Sequence, residues 1–309
     1  MGTDTLEEFK THRLRWIKCL SSVEDEHSIR SQISHMLWKR AVFQLVNEAR
    51  RMAVKGDVKL NQMVHIFVDE CFAESQVMAT RRLTDRRQGM YSLTSLLEDI
   101  HKHVNLMTRE NLFRAEGLEC DIDATTAKCD EYLLQNKGFV KIPEKFNWRA
   151  LKIRRAQIDF LAGVNSGKGL LEDRVRSRIL SNLKKKVQTA CKDLKTYAND
   201  FLAHAAPPWR RAADDADDIR PTLAGLDEAH KAICEVANFV DIYLLGESGG
   251  ISLPLPQYNQ FAHIDTPLFT KEGIETLGQI WKEYEDKTEQ WANWDIEGYR
   301  REFEKDTGV

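Results

Sequence analysis

The segment LKKKVQTACKDLKTYANDFLAHAAPP occupies residues 183–208 and carries the periodicity that decides the fold. Its apolar side chains recur every three or four residues, and at about 100° per residue they fall on one narrow stripe of a helix. That stripe consists of Leu183, Val187, Ala190, Leu194, Ala198, Phe201 and Ala205. The pattern predicts one long helix over residues 170–205, with this stripe buried, that ends before Pro207.

A second, polar stripe lies beside the buried face of the same predicted helix. Asp193, Tyr197, Asp200 and His204 follow one another at spacings of four, three and four residues, so each lies one turn from the next. A carboxylate one turn from an imidazole can fix its tautomer and favour its charged form, which suits a general acid or base. The macrodipole and free carbonyls at a helix C-terminus also favour a His, so a structural role for His204 stays open.

The rest of the chain is also helical in pattern. Apolar residues with helical spacing predict further helices over residues 22–54, 60–81, 222–246 and from 270 to the end. Residues 60–81 are apolar nearly all round, which predicts a central helix. The stretch from Ser95 to Glu98 has capping-box spacing and predicts a helix through about Met107. Alternating strand patterns are short throughout, so the fold class is predicted to be all-α and bundle-like.

Composition and irregular segments set the predicted domains. The chain has 309 residues, of which 42% are hydrophobic, so it can bury a core and is not wholly disordered. Residues 108–146 lose the helical period and predict an insertion with one or two short helices, after which a helix resumes near Phe146. We therefore predict a helical bundle over residues 1–246 and a linker with an acidic, Trp-containing helical tail over residues 247–309.

Charge and cysteine usage exclude several classes of protein. The net charge is −3, so no overall field attracts nucleic acid or an anionic membrane. No apolar run approaches 18 residues and the N-terminus lacks a secretory pattern, which predicts a cytoplasmic protein without a membrane partner. The six scattered cysteines predict free thiols. The spacing of a standard zinc site is not matched by His101, His103, Cys120 and Cys129. The segment AGVNSGKG at residues 162–169 does not fit the phosphate-loop pattern, because Ala162 stands where Gly is required and Gly169 where Ser or Thr is required. Neither a metal nor a cofactor is therefore predicted.

One part of the chain is strongly basic. Residues 149–195, here called the basic segment, contain thirteen Lys or Arg against four Asp or Glu. Such a segment could contact several phosphates of a nucleic acid, or it could be a solvated surface that pairs with the acidic tail. Both interpretations stay open. The nucleic-acid-binding candidates are Lys184, Lys185, Lys186, Lys192, Lys195, Arg210 and Arg211.

Three short segments, taken in order, resemble a known family. They are RRLTDRRQGMYSLTSLLEDI at residues 81–100, NDFLAHA at 199–205 before a loop rich in Pro and Asp, and LAGLDEAHKAICEVANFVDIYLL at 223–245. Together they resemble the HEPN-like family of the abortive-infection AbiU type. The resemblance implies an all-α bundle that forms homodimers and serves bacterial antiphage defence or a toxin-type module. In nuclease members, a His and an Arg form a metal-independent ribonuclease site.

The resemblance carries His204 over as the motif His, and Asn199 and Asp200 as motif polar residues. It implies that His204 is the general acid or base, that Asp200 orients it and that Asn199 binds the phosphate or ribose. No Arg precedes His204 at the motif spacing, although Arg210 and Arg211 follow in the loop. The expected function is therefore a metal-independent endoribonuclease, or else a non-catalytic scaffold that binds RNA or a partner protein of a defence system through the basic segment.

Overall fold

The computed structural model confirms the all-α class. It describes residues 2–22, 24–55, 61–87, 89–118, 127, 131–132, 134–135, 148–165, 169–203, 221–247, 259, 262 and 274–292. Within these ranges the regular structure is helical and no strand forms, apart from an isolated bridge between Thr108 and Arg174. No helix in the described ranges combines the length and the apolar character that spanning a bilayer requires.

Ten α-helices lie within the described residues. They are α1 (Gly2–Ser21), α2 (Ile29–Lys55), α3 (Gln62–Leu83), α4 (Leu93–Lys102), α5 (Arg109–Ala115), α6 (Trp148–Ala162), α7 (Ser177–Ala190), α8 (Lys192–Tyr197), α9 (Leu223–Phe239) and α10 (Ile274–Ala292). A 3₁₀ turn, Val104–Leu106, follows α4, and π-helical turns extend α8 over Ala198–Ala203 and α9 over Val240–Leu244. The chain forms two compact units, Met1–Pro254 with α1–α9 and Leu255–Val309 with α10.

The first unit is a bundle around one hydrophobic core. Helix α1 packs on α2, α4 and α5, helix α7 packs on α4 and α9, and α3 packs on α2 and α8. The largest fully buried side chains include Phe9, Trp16, Ile33, Leu97 and Phe113. These residues come from α1, α2, α4 and α5, so the core joins the start of the chain to its middle.

Helix α4 forms because a polar cap precedes a regular apolar face. The Ser92 side-chain oxygen accepts a hydrogen bond from the backbone N–H of Ser95 at 3.0 Å, which satisfies a free donor of the first turn. The apolar face that follows is buried along its length and consists of Leu93, Leu96, Leu97 and Ile100. The predicted capping box at Ser95 is therefore wrong: Ser92 is the N-cap, and α4 begins before Ser95.

Helices α2 and α3 depart from their predicted extent and burial. Helix α2 begins at Ile29 rather than near residue 22. Helix α3 matches the predicted range, but only its C-terminal half is central. Phe72 is buried and stacks on Phe43 of α2 with ring centroids 3.6 Å apart, whereas Phe67 is 64% exposed. The apolar residues do lie on one helix as predicted, but the neighbouring helices bury only those in its C-terminal half.

The predicted long helix over residues 170–205 is interrupted. Residues 170–176 are not helical, because the backbone N–H of Arg109 donates to the carbonyl of Asp173 and that of Val175 to the carbonyl of Met107. Helix α7 ends at Ala190, α8 begins at Lys192, and the π-helical turn starts at Ala198. The predicted buried stripe is confirmed at Val187, Leu194 and Ala198, which are all buried.

Helices α6 and α9 follow their predictions. Helix α6 begins at Trp148, close to the expected Phe146, and Gly163 follows its end with φ +73°. Helix α9 is capped by Thr222, whose side chain accepts from the N–H of Gly225, and Gly246 ends the segment with φ +70°. The predicted insertion contains α5, and most of its remaining residues lie outside the described ranges.

One buried imidazole makes the stability of this fold depend on pH. His230 of α9 is only 4% exposed, and burial lowers its pKa to about 4, with a smaller opposing effect of Asp227 and a supporting effect of Arg40. The unfolded chain therefore binds a proton between about pH 6.5 and 4 that the folded chain does not. We expect His230 to lower the free energy of unfolding by about 3 kcal/mol between pH 7 and pH 4. Urea titrations at both pH values should show a smaller loss for His230→Gln; an equal loss would contradict this assignment.

Candidate functional site

Two of the three predicted catalytic residues, Asn199 and Asp200, follow the end of α8. Asn199 and Asp200 are half-buried in the π-helical turn, immediately before His204, which itself lies outside the described residues together with Arg210 and Arg211. No ion pair involves Asp200 within the described part of the chain. Its carboxylate can therefore accept a hydrogen bond from an approaching imidazole or hydroxyl group.

The π-helical turn alters the predicted polar stripe. Tyr197 stacks on Phe201, with ring centroids 4.8 Å apart, so its ring faces an aromatic neighbour. A π-helical turn takes in an extra residue relative to an α-helical turn, so Asp200 does not continue the line through Asp193 and Tyr197. The prediction that these three side chains share one straight stripe is therefore wrong, because it assumed α-helical geometry to the end.

The lysines of the basic segment do not form one uniform surface. Lys184 pairs with Glu98 of α4 at 3.2 Å, and Lys186 pairs with Glu235 of α9, whose pKa the Lys186 hydrogen bond lowers. These two lysines bridge α7 to its neighbouring helices. A phosphate that bound either lysine would have to compete with this carboxylate, and the prediction that they bind nucleic acid remains a prediction.

Lys185 and Lys192 make no such ion pair, and both are exposed. Lys185 lines the same surface cleft as Lys186 and Glu235, whereas Lys192 begins α8, after the helical break at Cys191. Lys195 follows one turn later and is half-buried. No ion pair to these three lysines occurs within the described ranges. We call Lys185, Lys192 and Lys195 the lysine row, because they follow one another along the sequence towards Asn199.

Other charges of the basic segment are used inside the bundle. Arg154 is 6% exposed, pairs with Glu116 at 2.6 Å and donates to the carbonyl of Tyr243 at 2.7 Å. Asp159 pairs with Arg109 of α5, and both side chains are almost fully buried. Arg154 and Asp159 carry opposite charges, so these two buried pairs leave the net charge of the segment unchanged, whereas the pairs of Lys184 and Lys186 lower the positive charge that it presents to a ligand.

A second group of polar side chains, which the sequence analysis missed, lies between α1 and α4. The imidazole rings of His12 and His103 are in contact, with centroids 3.9 Å apart. The Asp99 carboxylate lies 3.7 Å from Nδ1 of His103 and accepts a 2.7 Å hydrogen bond from the Trp16 indole and another from Arg15. We call His12, Asp99 and His103 the imidazole cluster.

The electrostatics of the imidazole cluster favour neutral His12 and ionised Asp99. Burial lowers the pKa of His12, and the neighbouring His103 and Arg15 lower it further. Burial alone would raise the pKa of Asp99, but the hydrogen bonds from Trp16 and Arg15 outweigh that effect and lower it. A neutral imidazole thus lies beside a charged carboxylate.

A cleft of about 540 Å³ opens beside the imidazole cluster. Asp99 lines it, together with three cationic side chains, Arg15, Arg86 and Lys102. Cys19 also lines the cleft, but burial raises its pKa to about 12, so its thiol is not a nucleophile near neutral pH. Glu98 lines the cleft as well, so its wall combines three cationic side chains with two carboxylates, and Arg15 is already paired with Asp99.

One signal for the imidazole cluster was present in the sequence. Asp99 lies on α4 and His103 is the C-cap residue that follows it, four residues later, which is the spacing that brings two helical side chains together. The zinc arrangement weighed and rejected from the sequence joined His103 to His101, Cys120 and Cys129. The structure brings His103 to His12 instead, whereas Cys120 and Cys129 lie outside the described residues.

Comparison of this chain with protein-family models, with curated proteins and with solved structures finds no match. The comparisons therefore add no residues to either site.

Proposed function

We propose that this chain is a HEPN-like protein of bacterial antiphage defence, or of a toxin-type module, that cleaves RNA at the end of α8. In this proposal His204 is the general acid or base, Asp200 orients it, and Asn199 binds the phosphate or ribose. The protein acts in the cytoplasm as a homodimer, as the resemblance implies. The chemistry requires no metal ion.

The observation that carries this proposal is the arrangement of charge along α7 and α8. Lys185 and Lys192 are exposed, Lys195 is half-buried, and all three precede Asn199 in the sequence. At about 1.5 Å per helical residue, the ten residues from Lys185 to Lys195 span at most about 15 Å across the break at Cys191, a length that suits two or three consecutive phosphates of a single strand. An RNA held along this row would reach Asn199 and Asp200.

The proposed step is an internal attack within the RNA. His204 removes the proton of a ribose 2′-hydroxyl, whose oxygen forms a bond to the adjacent phosphorus while the bond to the 5′-oxygen breaks and that oxygen takes up a proton from water. The products are a 2′,3′-cyclic phosphate and a 5′-hydroxyl. Arg210 and Arg211, which follow His204 in the sequence, are the proposed cations that stabilise the phosphate in the transition state.

The second candidate is a non-catalytic scaffold that binds RNA or a partner protein through the basic segment. Residues 196–203 contain neither Lys nor Arg, so the described end of α8 offers no fixed cation of its own to a phosphate. This observation favours binding without cleavage. The two candidates share the lysine row and differ in the role of His204.

A cleavage assay separates the two candidates. Purified protein is incubated with total RNA and with a short labelled RNA in EDTA, beside filter binding of the same RNA at several salt concentrations. Cleavage in EDTA supports the ribonuclease. Salt-sensitive binding without cleavage supports the scaffold, and neither binding nor cleavage would contradict both.

The lysine row gives a specific expectation for RNA binding. Each Lys that neutralises a phosphate of a single strand contributes about 0.7 to the slope of log K against log salt. We therefore expect Lys185→Ala/Lys192→Ala to flatten that slope by about 1.4. Filter binding of the RNA at several salt concentrations measures this slope for the variant and for the unmodified protein.

A matched variant controls for the loss of two positive charges. Lys18 of α1 and Lys39 of α2 are also exposed but lie outside the lysine row. Lys18→Ala/Lys39→Ala should leave the slope as it is in the unmodified protein. Equal flattening by both double variants would show that the lysine row has no special role.

A further inference from the structure

Helices α1 and α4 bring two imidazoles and a carboxylate to one point beside the cleft. The atoms of His12, Asp99 and His103 that could act as ligands all lie within 4.8 Å of one another, and each residue is half-buried. We propose that the imidazole cluster binds one divalent transition-metal ion of the Zn²⁺ type. This site is separate from the end of α8 and does not depend on the proposed ribonuclease activity.

The hydrogen bonds of the two imidazoles leave a lone pair on each ring. Nδ1 of His103 lies 2.8 Å from the backbone carbonyl oxygen of Asp99. Because a carbonyl oxygen only accepts, Nδ1 carries the proton and Nε2 keeps a lone pair. Nδ1 of His12 lies 3.4 Å from a guanidinium nitrogen of Arg15, which only donates, so the lone pair of His12 is on Nδ1, where an incoming ion would replace this long hydrogen bond.

The carboxylate is held as metal-ligating carboxylates commonly are. Both the Trp16 indole and Arg15 donate to Oδ2 of Asp99, and Oδ1 is the oxygen that lies 3.7 Å from His103. The indole and guanidinium fix the orientation of the carboxylate, and Oδ1 remains available on the side of the imidazoles. Such outer contacts usually support metal ligands, since they fix the ligand atoms before the ion binds.

The donor set selects the type of ion. Two imidazole nitrogens and one carboxylate oxygen suit Zn²⁺ and similar transition metals, whereas Mg²⁺ and Ca²⁺ prefer oxygen ligands throughout. Three protein ligands leave at least one position for water or an anion, as in catalytic rather than structural zinc sites. The adjoining cleft, with Arg86 and Lys102 in its wall, could supply an anion to that position.

Metal titration of the full chain tests the proposal. We expect calorimetric titration with ZnSO₄ to show one high-affinity ion per chain and thermal unfolding to shift upwards with added Zn²⁺. Asp99→Asn should weaken the affinity by about tenfold or more, because the amide can accept from Trp16 but is a poorer ligand. His12→Ala and His103→Ala should abolish the high-affinity binding.

His101→Ala is the matched control, because His101 lies on α4 two residues before His103 and outside the cluster. It should bind Zn²⁺ as the unmodified chain does. Titration of the unmodified chain with Co²⁺ needs no variant to fold and should give the visible absorption of cobalt bound by nitrogen ligands. The proposal is wrong if the unmodified chain binds neither ion, or if His12→Ala and His103→Ala bind Zn²⁺ undiminished.

Discussion

Asp159→Ala is expected to lower the free energy of unfolding by about 3–5 kcal/mol, which is a large part of the stability of a domain. Asp159 of α6 pairs with Arg109 of α5, and their side chains are 2% and 3% exposed. Removing the carboxylate leaves the guanidinium buried without its counter-ion, and this is the costly way to break such a pair. Urea denaturation followed by circular dichroism measures the change.

The surroundings of this pair leave Arg109 little room to move. A Cβ added at Gly169 would collide with Nη1 of Arg109 and lie 3.0 Å from Oδ1 of Asp159, so the backbone closes over the pair. Replacing both partners by apolar residues, Arg109→Met with Asp159→Leu, should restore much of the stability that Asp159→Ala loses. A loss below about 1 kcal/mol for Asp159→Ala would show that the pair is not buried as described.

His204→Ala is expected to reduce the rate of RNA cleavage by about 10²–10⁴-fold while leaving the affinity for RNA nearly unchanged. The imidazole is the proposed general acid or base, whereas the lysine row supplies the binding of the phosphates. Single-turnover cleavage of a labelled RNA, together with filter binding, separates the two quantities. The affinity serves as the internal check that the variant is folded.

His35→Ala is the matched control for the loss of an imidazole. His35 is exposed on α2, and the sequence places it four intervening residues after Arg30, a spacing that also occurs in the nuclease motif. Arg30, however, donates to both oxygens of Asp241 at 3.0 and 2.9 Å, and Asp241 is fully buried, so this Arg stabilises the bundle. His35→Ala should therefore cleave RNA at the unmodified rate.

The helical architecture could be predicted from the sequence because each helix carries its own periodicity. The buried stripe through Val187, Leu194 and Ala198 follows from local rules of spacing, and the positive φ at Gly246 after the π-helical turn of α9 follows from rules of capping. The N-cap of α4 was misplaced because Ser92 and Ser95 are both good capping residues. Which of them is used depends on the turn that precedes the helix.

Features that depend on distant parts of the chain could not be predicted. Phe67 has the same apolar character as Phe72, and only the position of α2 decides that Phe72 is buried. The partners of Lys184 and Lys186 come from α4 and α9, which local spacing does not place. The contact between His12 and His103 likewise depends on how α1 packs against the end of α4, and no sequence motif predicts that packing.

Identification of the ends produced on RNA in EDTA tests the central claim most directly. If the end of α8 carries a metal-independent ribonuclease that uses His204, the unmodified protein yields fragments with a 2′,3′-cyclic phosphate and a 5′-hydroxyl, and His204→Ala yields almost none. Equal amounts of these fragments from both proteins, or intact RNA with the unmodified protein, would contradict the claim.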